Sequence, residues 1–117
     1  MSQGIVSIDG VLVDSADARV SVFDRGFLYG DSVFEVFRTY GGVPFAEREH
    51  LERLARSAER LMIPLPVSLE TLSAEVHAAL DAAGEGPWYV RVVITRGTGP
   101  LNYDPSTAVE PLRVVIV

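Results

Sequence analysis

Ser32-Val33-Phe34-Glu35-Val36-Phe37-Arg38-Thr39-Tyr40 is the stretch on which the fold turns. It is rich in β-branched and aromatic residues, and an extended chain sends successive side chains to opposite faces. Phe34, Val36, Arg38 and Tyr40 therefore share one face, and Val33, Glu35, Phe37 and Thr39 the other. Gly41-Gly42 then permits a reversal into Val43-Pro44-Phe45. Downstream, Trp88 to Thr95 repeats the pattern, with Trp88, Val90, Val92 and Ile94 opposed to Tyr89, Arg91, Val93 and Thr95. Upstream, Ile5–Ile8 and Val11–Val13 flank Asp9-Gly10, a strong signal for a type I′ hairpin. Arg19–Phe23 reads as a short strand or extended segment, and the two glycines of Asp24–Asp31 predict a tight, shaped loop.

Between the strands the period changes. Leu51, Leu54, Ala55, Ala58, Leu61 and Met62 recur at helical spacing, with Glu47, Glu49 and Glu52 near the positive N-terminal end. Pro64 and Pro66 stop that helix. Ser68 is the candidate N-cap of a second, carrying Leu69, Leu72, Val76, Ala79 and Leu80 before Gly84. Arg96–Pro105 is punctuated by glycine and proline as a loop, and Leu112–Val117 predicts a strand facing apolar material on both sides. The fold class is α+β: a mostly antiparallel sheet with two helices packed on one side. A chain ending on so apolar a strand is expected to have been cut at a domain boundary.

The 117 residues suit one domain, and 48% hydrophobic with 22% charged residues is an ordinary globular balance. A net charge of −6 argues against nucleic acid as a partner. There is no cysteine, hence no disulfide framework or thiolate chemistry, which is compatible with a cytoplasmic location. The opening MSQGIVSIDG lacks the basic and apolar regions of a secretory signal, and no apolar run is long enough for a membrane helix. The chain reads as soluble.

Several chemistries fall away. His50 and His77 lie on separate helices without zinc-ligand spacing, so no metal site is expected. Gly97-Thr98-Gly99 is followed by Pro100 and by no lysine, which removes a phosphate-loop reading, and no serine sits in a nucleophile elbow. What remains is an arginine and aromatic arrangement. Arg38 and Arg91 stand mid-strand among apolar neighbours, a costly place for a cation without compensation. Either each pairs with a carboxylate such as Glu35 or Glu110 or reaches the sheet edge, or it faces an anion or a polar cavity. Tyr29, Phe34 and Tyr89 taken singly read as core.

Three segments in order change that balance: FDRGFLYGDSVFE (Phe23–Glu35), REHLERL (Arg48–Leu54) and YVRVVITRG (Tyr89–Gly97). Together they resemble class IV aminotransferases, the pyridoxal-phosphate enzymes that include branched-chain and D-amino-acid aminotransferases and aminodeoxychorismate lyase. The resemblance covers nearly the whole chain and implies the smaller, N-terminal domain of such an enzyme, spanning residues 1–117. The family lysine that condenses with the cofactor aldehyde belongs to a larger C-terminal domain. All ten basic residues here are arginines, and a guanidinium cannot perform that condensation. No catalytic residue is therefore expected in this chain, which should be inactive alone.

The resemblance further implies that Arg53 binds the cofactor phosphate, against the alternative of a solvated helix arginine. It implies that Tyr29, Phe34, Val36, Arg38, Tyr89 and Arg91 line the substrate side. The alternation places Phe34, Val36 and Arg38 on one face and Tyr89 with Arg91 on one face, as a pocket wall requires. Leu101 stands where D-amino-acid aminotransferases and the lyase commonly carry an arginine, and Val36 where branched-chain enzymes often have glycine. The expected activity is amino-group transfer between a small amino acid and a 2-oxo acid, in a homodimer. The lyase, and a non-catalytic dimerisation or ligand-binding module, are the rival readings.

Overall fold

The computed structural model describes residues 4–117; Met1–Gln3, the start of the segment read above for a leader, lie outside the described residues. Six strands form one sheet: β1 (Ile5–Ile8), β2 (Val11–Asp14), β3 (Ser32–Tyr40), β4 (Val43–Pro44), β5 (Tyr89–Thr95) and β6 (Arg113–Ile116). Their spatial order is β2-β1-β6-β5-β3-β4, and every neighbouring pair is antiparallel. The Asp9-Gly10 turn has positive φ at both positions, 50° and 84°, as a type I′ hairpin requires. The C-terminal strand is central, between β1 and β5, and Val114 and Val115 are both buried although they point to opposite faces.

Three helices, α1 (Arg25–Tyr29), α2 (Glu47–Arg60) and α3 (Leu69–Ala83), complete the α+β fold. The longer two lie on one side of the sheet, as expected. Val33, Phe37, Val90, Val92, Ile94 and Val115 project from the sheet to meet Leu51, Leu54 and Ala58 of α2 and Leu72, Val76 and Ala79 of α3. Burying each large aliphatic side chain contributes about 1.5–3 kcal/mol, so this contact sets the order of the layers. Ser68 caps α3, its side chain accepting from the Thr71 amide at 3.1 Å.

Four local readings need correction. The helical stripe ends before Leu61 and Met62, which are exposed because the chain turns at Met62, where φ is 60°. The Asp24–Asp31 loop contains a short helix, since Asp24 accepts from the Gly26 amide at its start and Gly30 adopts the left-handed conformation at its end. Arg19–Phe23 forms no strand; a turn at Val22-Phe23 leads into an isolated bridge between Asp24 and Thr98. The loop after β5 is partly ordered too, with Thr98 bridging Val109 and a 3-10 turn at Pro105–Thr107.

Candidate functional site

Strand register decides what the sheet presents on the face away from α2 and α3. Phe34 lies opposite Val93, Val36 opposite Arg91, and Arg38 opposite Tyr89. The two alternating sets read separately from the sequence thus merge into one surface. On it, the Arg91 guanidinium sits 4.2 Å from the Phe34 ring centroid. Arg38 lies between two rings, 4.8 Å from Tyr40 and 5.3 Å from Tyr89. Phe34, Val36 and Tyr89 are all exposed.

The expectation that Arg38 or Arg91 pairs with Glu35 or Glu110 is not met. Glu35 points to the helix side of the sheet, because it is an odd number of residues from Arg38 along an extended strand. Among the described residues no carboxylate lies within ion-pair distance of either arginine, and Arg38 Nε is buried without a hydrogen-bond partner. Aromatic faces, which attract a cation through their quadrupole, take the place of a counter-ion. Two cations on an apolar, open surface suit an anionic ligand with an apolar body. The face is a wall rather than a pocket: a concavity between Thr39–Gly42 and Gly84–Trp88 includes Arg38 alone of the candidate residues.

Tyr29 stands apart. It lies in α1, with Arg25 4.7 Å from its ring centroid and Tyr103 of the β5–β6 loop at 5.4 Å. Arg25, almost fully buried, donates to Asp31 Oδ2 at 3.3 Å and to the Asn102 carbonyl at 3.0 Å. Arg96 donates to the same Asp31 oxygen at 2.6 Å and to the carbonyls of Leu61 and Met62 at the end of α2. Burial pushes the Asp31 carboxyl up, but the hydrogen bonds and charges of Arg96 and Arg25 outweigh it and hold it below its ordinary value. This network fixes α1 and the loop carrying Leu101 and Tyr103 to the sheet.

Arg53 is on the other side of β3 from the arginine and aromatic wall. Its side chain is largely exposed, but one edge of the guanidinium is engaged. Its Nε donates to Glu35 Oε2 and its Nη2 to Glu35 Oε1, both at 2.8 Å. His50, three residues earlier on the same helix face, brings Nδ1 to 2.6 Å from Glu35 Oε1 and stacks on Phe37. Because an ionised carboxylate only accepts, Nδ1 carries the proton. The Glu35 side chain is 7% exposed, that of Arg53 61%. No described residue takes a hydrogen bond from Nη1, so the outer edge of the guanidinium is open to an anion. A phosphate fits that edge, since its oxygens match the planar fork.

Glu35 and His50 are the residues that sequence reasoning missed. A carboxylate between Val33 and Phe37 on an inward face was a signal, as was the spacing of His50 and Arg53. The Arg53 hydrogen bonds hold the Glu35 carboxyl below its ordinary value, burial opposes this, and His50 adds to the lowering. A carboxyl depressed on folding stabilises fully above its unfolded value, about 4.3, and that contribution is lost as pH falls through the lower folded value. Urea midpoints measured from pH 6 downward should therefore decline as the pH falls below about 4.3 towards the lower folded value. Glu35→Gln should flatten the decline, and an unchanged slope would refute the assignment.

Residues 32–116 match the family Amino-transferase class IV, and the chain belongs to it. It is 43% identical over 106 residues to a putative branched-chain-amino-acid aminotransferase of Methanocaldococcus jannaschii, covering 91% of this chain and 37% of that protein. Among solved structures it superposes on the branched-chain amino acid aminotransferase of Escherichia coli with a TM-score of 0.89 at 27% identity, over 97% of this chain and 40% of that one. The 4-amino-4-deoxychorismate lyase of Pseudomonas aeruginosa is similar at 34% identity and a TM-score of 0.78, over 95% and 38% respectively. The chain thus spans roughly two fifths of the length of these proteins. Among the described residues no helix is long and apolar enough to cross a membrane, and no cluster of metal-ligating side chains occurs.

Proposed function

We propose that the protein bearing this chain is a pyridoxal-phosphate-dependent aminotransferase that moves an amino group between a small amino acid and a 2-oxo acid. The chain supplies one wall of the substrate pocket, from Tyr29, Phe34, Val36, Arg38, Tyr89 and Arg91. Arg53 supplies part of the phosphate site. The observation that carries this reading is the pair of arginines on the open sheet face, flanked by rings and lacking carboxylate partners. Both substrate classes are carboxylates, and charge-assisted hydrogen bonds from a guanidinium orient such groups. Phe34, Val36 and Tyr89 provide the apolar surface against which a side chain is held and water excluded.

When bound, the cofactor supplies the electron sink for amino-group transfer. The amine that condenses with it has no source among the side chains here, since the sequence has no lysine. A larger C-terminal domain beyond Val117 supplies it, in keeping with the share of each relative that the chain covers. Leu101 and Tyr103, both strongly exposed on the β5–β6 loop, support a contact with a second copy in a homodimer.

The decisive experiment is on Arg53 in the full-length protein. Arg53→Ala should weaken pyridoxal phosphate binding by about ten- to a hundredfold, the usual effect of losing a charge-assisted contact. Arg56→Ala, one turn farther on an exposed position with no partner among the described residues, should leave affinity unchanged. Absorbance titration of both apo variants reads the difference, and equal affinities would remove Arg53 from the site.

A second reading, the lyase, draws on the 34% identity to the Pseudomonas aeruginosa enzyme. Turnover of aminodeoxychorismate with no oxo-acid acceptor present would favour it over amino-group transfer.

A further inference from the structure

We infer that Glu35 is a positioning residue: from beneath α2 it fixes the guanidinium of Arg53 so that the outer N–H groups are presented to the phosphate of the cofactor. This rests on the reading of Arg53 given above and adds to it a second residue, with His50 as a third member of the arrangement.

The position of Glu35 is the first reason. It lies on the helix-facing side of β3 between Val33 and Phe37, both core residues, and opposite Val92, which is fully buried. An apolar side chain of similar volume would serve the packing at that place as well, because an ion pair with a buried member is often no better for stability than a well-packed hydrophobic replacement. Packing α2 against the sheet therefore gives no account of a carboxylate here. Its hydrogen bonds do. Both oxygens are used, Oε2 by Arg53 Nε and Oε1 by Arg53 Nη2 together with His50 Nδ1.

The second reason is the asymmetry of the pair. The carboxylate is buried and held by a histidine that is itself stacked on Phe37 at 5.3 Å, while the arginine is largely exposed. A long side chain on a helix surface otherwise samples many rotamers, and a two-point contact at the inner edge removes that freedom before a ligand arrives. The bond pattern uses the Nε–Nη2 edge and leaves the Nη1 edge facing outward. Against this stands the negative charge of Glu35, which disfavours a nearby phosphate. The bidentate pair neutralises much of that charge, and Glu35 is separated from the outer edge by the width of the guanidinium, so orientation prevails.

Glutamine at position 35 tests which effect wins, since its amide keeps the shape but offers one acceptor and opposes the second arginine donor with an N–H of its own. In the full-length apo protein, Glu35→Gln should bind pyridoxal phosphate about tenfold more weakly, as loss of a supporting contact beneath a ligand-binding group does. Pyridoxal, which lacks the phosphate, should bind as in the parent. A general loss of structure would weaken both ligands alike, and that result would overturn the proposal. So would unchanged or tighter pyridoxal phosphate binding. In an Arg53→Ala background, Glu35→Gln should cause no further loss, because there is no guanidinium left to position. Arg53→Ala with full affinity removes the phosphate reading and this proposal with it, whereas a weakened Arg53→Ala beside an unaffected Glu35→Gln overturns this proposal alone. Where Glu35→Gln does not fold, Glu35→Asp serves the same comparison: it keeps the charge but withdraws the carboxylate from the two-point contact, and the same selective loss is expected.

Discussion

Leu54→Ala is expected to destabilise the chain by about 2–5 kcal/mol, the range for emptying a fully enclosed leucine site. Leu54 has no solvent exposure and lies in the layer where α2 meets β3. It belongs to a core cluster drawn from α2, α3 and three strands, whose close-packed members cannot all move to fill the space left by the missing atoms. Leu61 belongs to the same helical stripe in the sequence but is 46% exposed, beyond the end of α2. Leu61→Ala should therefore cost less than about 1 kcal/mol. Urea denaturation followed by the single tryptophan, Trp88, compares the two. Equal shifts in midpoint would mean that the helix continues through Leu61 and that the core is drawn wrongly.

That pair of leucines shows where sequence periodicity stops being informative. An apolar residue at helical spacing has the same pattern whether the helix continues or turns away, and the positive φ of Met62 that ends α2 has no glycine to announce it. The strands were more legible. Period-two alternation fixes faces without reference to anything distant, so the pattern alone bounds β3 at Ser32 and Tyr40 and assigns each half of the arginine and aromatic wall to one face. Their juxtaposition was not readable, because register between strands far apart in sequence depends on the whole sheet. The same limit hid the partners of charged residues. Glu35 is adjacent to the wall in sequence, which makes it a candidate partner for Arg38, although alternation places it on the opposite face. Only the packing of α2 shows that it meets His50 and Arg53. Short-range turn chemistry was legible where glycine or a capping side chain announced it, as at Asp9-Gly10 and Ser68. It failed at Arg19–Phe23, where β-prone residues are pulled into a turn by the bridge of Asp24 to Thr98.

Gly97→Ala should be among the most damaging substitutions in the loop that follows β5. Gly97 has φ of 102°, a conformation that L side chains rarely adopt. A Cβ there would stand 2.0 Å from the Val109 carbonyl oxygen and 2.6 Å from that of Glu110, contacts with backbone that no side-chain rotation can relieve. The obstacle lies where Thr98 exchanges hydrogen bonds with Val109 and where the Arg25 amide donates to the Gly97 carbonyl. Relief of the clash must therefore displace the β5–β6 loop or release α1, and Tyr29 and Tyr103, which meet from those two segments, should separate. Strain of this kind combined with a lost backbone bridge is expected to cost about 3 kcal/mol or more. Gly30→Ala is the control for conformation alone: Gly30 also has positive φ, 66°, but a Cβ would meet nothing within 4 Å. It should cost only about 1 kcal/mol. Denaturation midpoints give the energies, and tyrosine ring resonances report whether the Tyr29–Tyr103 contact survives. A Gly97→Ala protein as stable as Gly30→Ala, with that contact intact, would show that the loop carrying Leu101 and Tyr103 is not clamped to α1 in the way the structure describes.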